Sequence, residues 1–340
     1  MDTPSLTRPK PLGPGSRVAA LSLSAGFVTE VPHRYAAGVR QAAETLGWNI
    51  IAAPSAFRGP EFLYQNPQAR ADDLHWALQN PEIDGLVSII GGDDSIRLLP
   101  YLNPELIRAH PKAFLGYSDS TVTLMQFLQA GVMAYHGPAV LTDLAENGGI
   151  HPFTRRGLEQ AFGTEPYHLS PAPEWTQARQ IWDEASQSIR REFQPGDGWV
   201  WLQEGCGEGH LLGGCIEILD MLSGTPGELP PDLWHGAVMA LETSNDVPPP
   251  SQVGYWLRNW AAKGVLARLS GLLLARPRDY TPEMTEQLYV WVRRVLKEAG
   301  REDLPVVANV DFGHTSPQMT LPLGAKVRLD SAARTVTVWP

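Results

Sequence analysis

Acyl-transfer chemistry needs an exposed, activated hydroxyl. The stretch 112–132, KAFLGYSDSTVTLMQFLQAGV, reads as a device for presenting one. A short apolar strand, Ala113–Gly116, runs into the turn Gly116-Tyr117-Ser118-Asp119-Ser120, and an apolar helix follows. A serine on such a turn has its hydroxyl pushed out of the fold, beside the first free amides of the helix. Ser118 is therefore the candidate nucleophile. Serine is weak at its free pKa, so the reading requires a base and an acid that orients it.

The base must come from nine histidines. Two stand at the ends of apolar runs. His136 closes the strand after the Ser118 helix, in Tyr135-His136-Gly137-Pro138, where either a place near the site or a structural hydrogen bond fits. His314 follows Gly313 after the apolar run 304–312, and a glycine before it lets the loop bend so that the ring can project. By position His314 leads. For the acid, Glu242 ends the apolar run 237–242, and a glutamate there is costly to bury unless paired. Asp311 and Asp246 remain alternatives, as does a strand-end glutamate that simply meets solvent. The order would be Ser…Glu…His. The run 85–90 ends in Gly91-Gly92-Asp93-Asp94, where a glycine pair can turn its N–H groups toward a ligand. The amide of Asp119, directly after the nucleophile, would be a second donor. The alternative for the glycine pair is a plain strand-to-helix turn.

These groups need a scaffold. The first half alternates short apolar runs (17–22, 48–52, 85–90, 113–116, 132–135) with helical patterns (31–46, 66–79, about 95–102), as in a parallel sheet covered on both faces. Proline at the first turn marks the start of the helix at Asn66-Pro67. In such a sheet ligands bind at the carboxyl ends of the strands, where Gly92 and Ser118 fall. The pattern breaks over 163–198, rich in proline, glutamine and charge, which reads as a linker or arm. Further strands follow (198–203, 237–242, 269–275, 304–312), with helices near 251–263 and 281–299 and a terminal hairpin pairing 326–330 with 335–339. The expected division is an N-terminal α/β nucleophile domain, 1–163, an arm, 164–198, and a C-terminal domain, 199–340, carrying the glutamate and histidine.

At 340 residues the chain needs no covalent staples, and its two cysteines, Cys206 and Cys215, make no disulfide framework. A cytoplasmic setting without a signal peptide or membrane span is the expectation. A net charge of −10 with scattered Lys and Arg argues against nucleic acid as a partner. With no HExxH and no clustered Cys/His set, no metal or other cofactor is expected.

Together, Gly116-Tyr117-Ser118-Asp119, Gly91-Gly92, Leu241-Glu242 and Phe312-Gly313-His314-Thr315, with Gly209-His210-Leu211-Leu212-Gly213-Gly214 between them, resemble the LD-carboxypeptidase family of serine peptidases. The resemblance runs from about residue 11 to 330. It implies Ser118 as nucleophile, His314 as base and later acid, Glu242 as the orienting acid, and an oxyanion hole from the Asp119 amide and an amide of the Gly92 turn. It also implies a flavodoxin-like N-terminal sandwich, a smaller α+β C-terminal domain of barrel-like character, and a homodimer. Two branches of the family compete. Ile90 before the glycine pair, with polar residues such as Asp93 after it, is closer to the microcin C immunity branch, which cleaves aminoacyl- or peptidyl-nucleotides. The cell-wall branch, muramoyl-tetrapeptide LD-carboxypeptidases, more often has arginine there. In the immunity branch an aromatic residue on the arm can stack on the base. Trp182 is the candidate, packing of the arm being its alternative role. Asp93 is a second candidate substrate contact. Cys215 stands where the family usually has asparagine, which puts the substrate range in question. The rival readings are an ordinary α/β-hydrolase, disfavoured because Ser120 replaces the last glycine of G-x-S-x-G, and a non-catalytic ligand-binding protein.

Overall fold

Strands that are apolar on both faces must be covered on both, and four runs of the first half are. In the computed structural model, which describes residues 6–340, Arg17–Leu21, Gly85–Ser88, Ala113–Gly116 and Ala134–His136 are buried almost throughout. With Asn49–Ala52 they form a parallel array. Helices Pro32–Leu46, Pro67–Gln79 and Thr121–Gln129 connect its strands. The first two begin with proline, whose missing N–H costs nothing at that position, and Pro32–Leu46 ends on Gly47 at φ 70°.

The sequence pattern placed one helix near 95–102. The chain instead makes a 3₁₀ turn, Ser95–Leu98, and then a helix, Pro104–Ala109, capped by the Asn103 side chain. Pro100 lies between them and cannot continue a helix begun before it.

The sixth strand of this sheet is Leu321–Leu323, from far along the chain. It pairs antiparallel with Ala134–His136, Leu321 opposite His136.

The second sheet has eight strands in the order 167–168, 335–339, 326–330, 206–215, 238–242, 271–275, 306–310, 200–203. Its centre is parallel and its flanks antiparallel, giving the barrel-like, mixed character expected of the second half. The strand Cys206–Cys215 is shared: its first half pairs antiparallel with Lys326–Asp330, its second half parallel with Val238–Glu242, where Cys215 stands opposite Glu242. The terminal hairpin and the helices Pro250–Ala262 and Pro282–Glu298 fall where the sequence put them, to within a residue.

The stretch 164–198 holds only two-residue strands. Tyr167–His168 joins the eight-stranded sheet, and Glu174–Trp175 pairs with Gln194–Pro195. It is also tied to the chain around His314, since the amides of Thr176 and Ser316 each donate to the other's carbonyl, at 2.6 and 3.0 Å. Among the described residues no helix is long and apolar enough to cross a membrane.

Candidate active site

Ser118 begins a 3₁₀ turn, Ser118–Ser120, that leads directly into Thr121–Gln129, and its own φ is 61°. A non-glycine residue in that region costs of order 1–3 kcal/mol and persists only where its surroundings enforce it. They do so here. Asp119 is fully buried, and its carboxylate accepts from Ser24 Oγ at 2.5 Å and the Ser95 amide at 2.9 Å, while Ser95 Oγ donates to its carbonyl at 2.7 Å. The segments of Ser24 and Ser95 are thus both clamped to the turn. Burial pushes the Asp119 carboxyl up, and the hydrogen bonds from Ser24 and Ser95 oppose it.

Of the glycine pair, Gly91 is the residue against Ser118. A β-carbon on it would lie 2.9 Å from Ser118 Cβ, 3.0 Å from Oγ and 3.5 Å from the Asp119 amide nitrogen. Gly92, at φ 156°, faces the other way, and a β-carbon there would overlap Ser24 Oγ. The close approach to Ser118 thus belongs to Gly91, next to Gly92, whose turn the sequence proposed as a source of an oxyanion-hole amide.

His314 arrives on the loop after Val306–Val310, and its Nε2 lies 3.0 Å from Ser118 Oγ. Its Nδ1 lies 2.5 Å from Glu242 Oε2. Gly313 permits this approach: at φ 84° it takes a conformation that L side chains rarely adopt, and a β-carbon on it would overlap the Glu242 carboxylate. The ring packs edge-on against Tyr117 with centroids 5.0 Å apart, and Arg278 donates to the His314 carbonyl at 3.0 Å and to the Gln177 carbonyl at 3.3 Å.

Glu242 closes its strand with no exposed side-chain surface. Burial pushes its carboxyl up, but the His314 charge and hydrogen bonds from His136 and His314 outweigh this and hold it well below the usual carboxylate range. Burial pushes the His314 imidazole down, and Glu242 more than offsets it, leaving the ring a stronger base than free histidine.

The alternative acids lie elsewhere. Asp311 accepts from Trp199 Nε1 at 2.8 Å, the Ala172 amide at 3.0 Å and Arg276 at 3.2 Å. Asp246 is exposed on the cleft wall.

A cleft of about 800 Å³ opens over Ser118 and His314. Asp93 and Trp182 both line it. Trp182 is packed as well: Phe27 meets its ring edge-on at 6.4 Å, Arg34 lies 5.0 Å over it, and its carbonyl lies 2.7 Å from His33 Nε2. The two roles weighed for it are compatible. Cys215 is 1% exposed, its Sγ 3.1 Å from Glu217 Oε2, and burial first and then Glu242 and Glu217 push its thiol up. It is a protonated donor, not a second nucleophile. Glu217 and Arg278, both on the cleft, gave no sequence signal, since each sits alone in a segment without a motif.

The LD-carboxypeptidase N-terminal domain matches residues 18–137 and the LD-carboxypeptidase C-terminal domain residues 208–329. YocD of Bacillus subtilis, a candidate carboxypeptidase by name, is 28% identical over 88% of this chain and 89% of its own. The microcin C7 self-immunity protein MccF of Escherichia coli is 24% identical over 96% of this chain and 94% of its own. Among solved structures, an MccF-like protein from Streptococcus pneumoniae in complex with AMP superposes with a TM-score of 0.85 at 26% identity, covering 95% of this chain and 98% of that one.

Proposed function

This chain belongs to the LD-carboxypeptidase family and is a serine peptidase, and from that premise we propose that it cleaves a terminal amide through a Ser118–His314–Glu242 triad and an acyl-enzyme. One observation carries the reading: the continuous hydrogen-bonded chain from Ser118 Oγ through His314 to Glu242, at the floor of the cleft.

In this mechanism Ser118 Oγ bonds to the substrate carbonyl carbon as its proton passes to His314 Nε2. Glu242 holds the Nδ1–H tautomer and stabilises the imidazolium. The negative oxygen of the tetrahedral intermediate is met by the Asp119 amide and an amide of the Gly91-Gly92 turn. The carbon–nitrogen bond then breaks, and the leaving amine takes the proton from His314. Water, deprotonated by the same ring, attacks the ester and releases Ser118.

The substrate class we infer is an aminoacyl- or peptidyl-nucleotide, as in the microcin immunity branch. Three features support this: Ile90 before the glycine pair, Trp182 on the cleft wall, and the likeness to a protein solved with AMP. A hydrolysis panel tests it. An aminoacyl sulfamoyl-adenosine should be turned over with a kcat/KM at least about 100-fold above that of an LD-linked muropeptide, since stacking and leaving-group contacts add binding that only the nucleotide can use. The reverse ranking would move the chain to peptidoglycan recycling. Labelling of Ser118 by a fluorophosphonate, abolished in His314→Ala, separates a hydrolase from a ligand-binding protein that has kept only the fold.

A further inference from the structure

Glu242 has two carboxylate oxygens, and the proposed triad uses one. The other, Oε1, lies 3.2 Å from Nε2 of His136. We propose that His136 is a positioning residue for the reaction, a fourth member of the hydrogen-bonded chain that acts through Glu242. The inference rests on the triad reading above.

The geometry fixes the proton. Both side chains are shut off from solvent, at 1% and 0% exposure. His136 Nδ1 has no hydrogen-bond partner among the described residues. A proton on Nδ1 would be a buried donor without a partner and would leave the Nε2 lone pair facing the carboxylate oxygen, whereas a proton on Nε2 meets an acceptor. The tautomer that fits is the neutral ring with Nε2–H donating to Oε1. The ring is held from both sides, edge-on to Phe312 at 5.6 Å and to Tyr117 at 6.3 Å, so the donor cannot easily swing away.

Its place in the fold makes His136 a link between the two halves of the site. It stands opposite Gly116 on the neighbouring strand of the six-stranded sheet, two residues before the nucleophile, while Glu242 belongs to the eight-stranded sheet. A buried carboxylate with one donor would be under-satisfied and free to rotate about its last torsion. With donors on both oxygens its plane is set, and Oε2 is presented to His314 Nδ1.

The donor also favours the negatively charged form of the Glu242–His314 pair, so its loss should make that pair bind its proton at higher pH. The other titratable and charged groups facing the pair are Tyr117 on the nucleophile turn, Glu217 and Cys215 on the segment 215–221, and Arg278 on the loop beside His314; none is altered by the substitutions below.

The test uses the fluorophosphonate labelling rate of Ser118, which needs no natural substrate, measured against pH in wild type, His136→Phe and His136→Gln. Glutamine can place an N–H near the imidazole Nε2; phenylalanine keeps the ring without the donor. We expect the labelling rate of His136→Phe to fall by roughly 10- to 100-fold, with its acid limb moved up by about one pH unit. His136→Gln should retain most of the rate and the wild-type limb. Equal losses in both variants, with the limb unmoved, would reduce His136 to packing. Should His136→Phe fail to fold, ¹⁵N spectra of histidine-labelled wild-type protein decide: an Nε2–H tautomer held across the active pH range supports the proposal, and an Nδ1–H or doubly protonated ring overturns it. If wild-type Ser118 itself is not labelled, the triad reading fails, and that outcome is distinct from a failure of His136 alone.

Discussion

The two walls of the cleft hold their reactive groups by different means. On the six-stranded side the reactive residue itself occupies the unusual backbone region, with Ser118 at φ 61°. On the eight-stranded side that conformation is delegated to Gly313, at φ 84°, and His314 is placed by side-chain partners: Glu242 at Nδ1, Arg278 at its carbonyl, and Tyr117 against its ring. The proposed nucleophile is set by the main chain and the proposed base by contacts. A hydroxyl on a one-carbon stem has almost no reach, so the backbone must aim it. An imidazole can swing and must be held.

The contrast can be broken at either wall. The largest expected effect is removal of the reacting groups: Ser118→Ala or His314→Ala should each lower kcat by roughly 10⁴ or more, with the double variant little worse. Additive losses in single-turnover assays would show that the two do not act as a unit. Glu242→Gln, which keeps the shape and loses the charge, should cost roughly 10³- to 10⁴-fold in kcat, since the tautomer and the imidazolium both depend on it.

Next in size comes Gly313→Ala. Its β-carbon would overlap the Glu242 carboxylate, and pushing the base out of line should lower kcat by roughly 100-fold. Full kcat in the expressed variant would show that His314 is held less tightly than its contacts with Glu242, Arg278 and Tyr117 imply. The pH profile sharpens the same point. Glu242 raises the His314 pKa above its ordinary 6.5, so the base is protonated at lower pH and kcat/KM should rise through a midpoint above 6.5. A midpoint below that value would mean burial outweighs Glu242. The smallest effect belongs to Trp182→Ala, which should lower kcat/KM roughly 10-fold for an aminoacyl sulfamoyl-adenosine and leave a muropeptide unaffected.

The residues of the proposed triad were legible because each follows an apolar run that delivers it to the end of a strand: Ser118 after AFLGY, Glu242 after VMAL, His314 after VVANVDFG. Periodicity located most strands of both sheets for the same reason. Cys206–Cys215 escaped, although it is the longest strand of its sheet. Its sequence, CGEGHLLGGC, reads as a loop because of its glycines. The structure shows why they are there: β-carbons at Gly207, Gly209 and Gly213 would run into the carbonyls of Ser270, Gly236 and Ala240. Close backbone approach is a three-dimensional demand and leaves no periodic trace. The roles of Gly91, Arg278 and the second oxygen of Glu242 were hidden likewise, since each depends on what another segment brings alongside.

The strand Leu321–Leu323 has a consequence for anyone who cuts the chain. It lies only a few residues beyond His314 and completes the sheet that carries Ser118. A fragment ending near residue 163 would therefore carry the nucleophile turn but lack an edge. The N–H and C=O groups of Ala134–His136 that now pair with Leu321–Leu323 would lie bare and would recruit other chains. Expressed alone, that half should associate in size-exclusion chromatography, and a supplied peptide spanning 318–326 should return it toward a monomer. A strand from beyond His314 is thus also the final stitch of the sheet that carries Ser118, so the two halves of the proposed triad are secured to each other together.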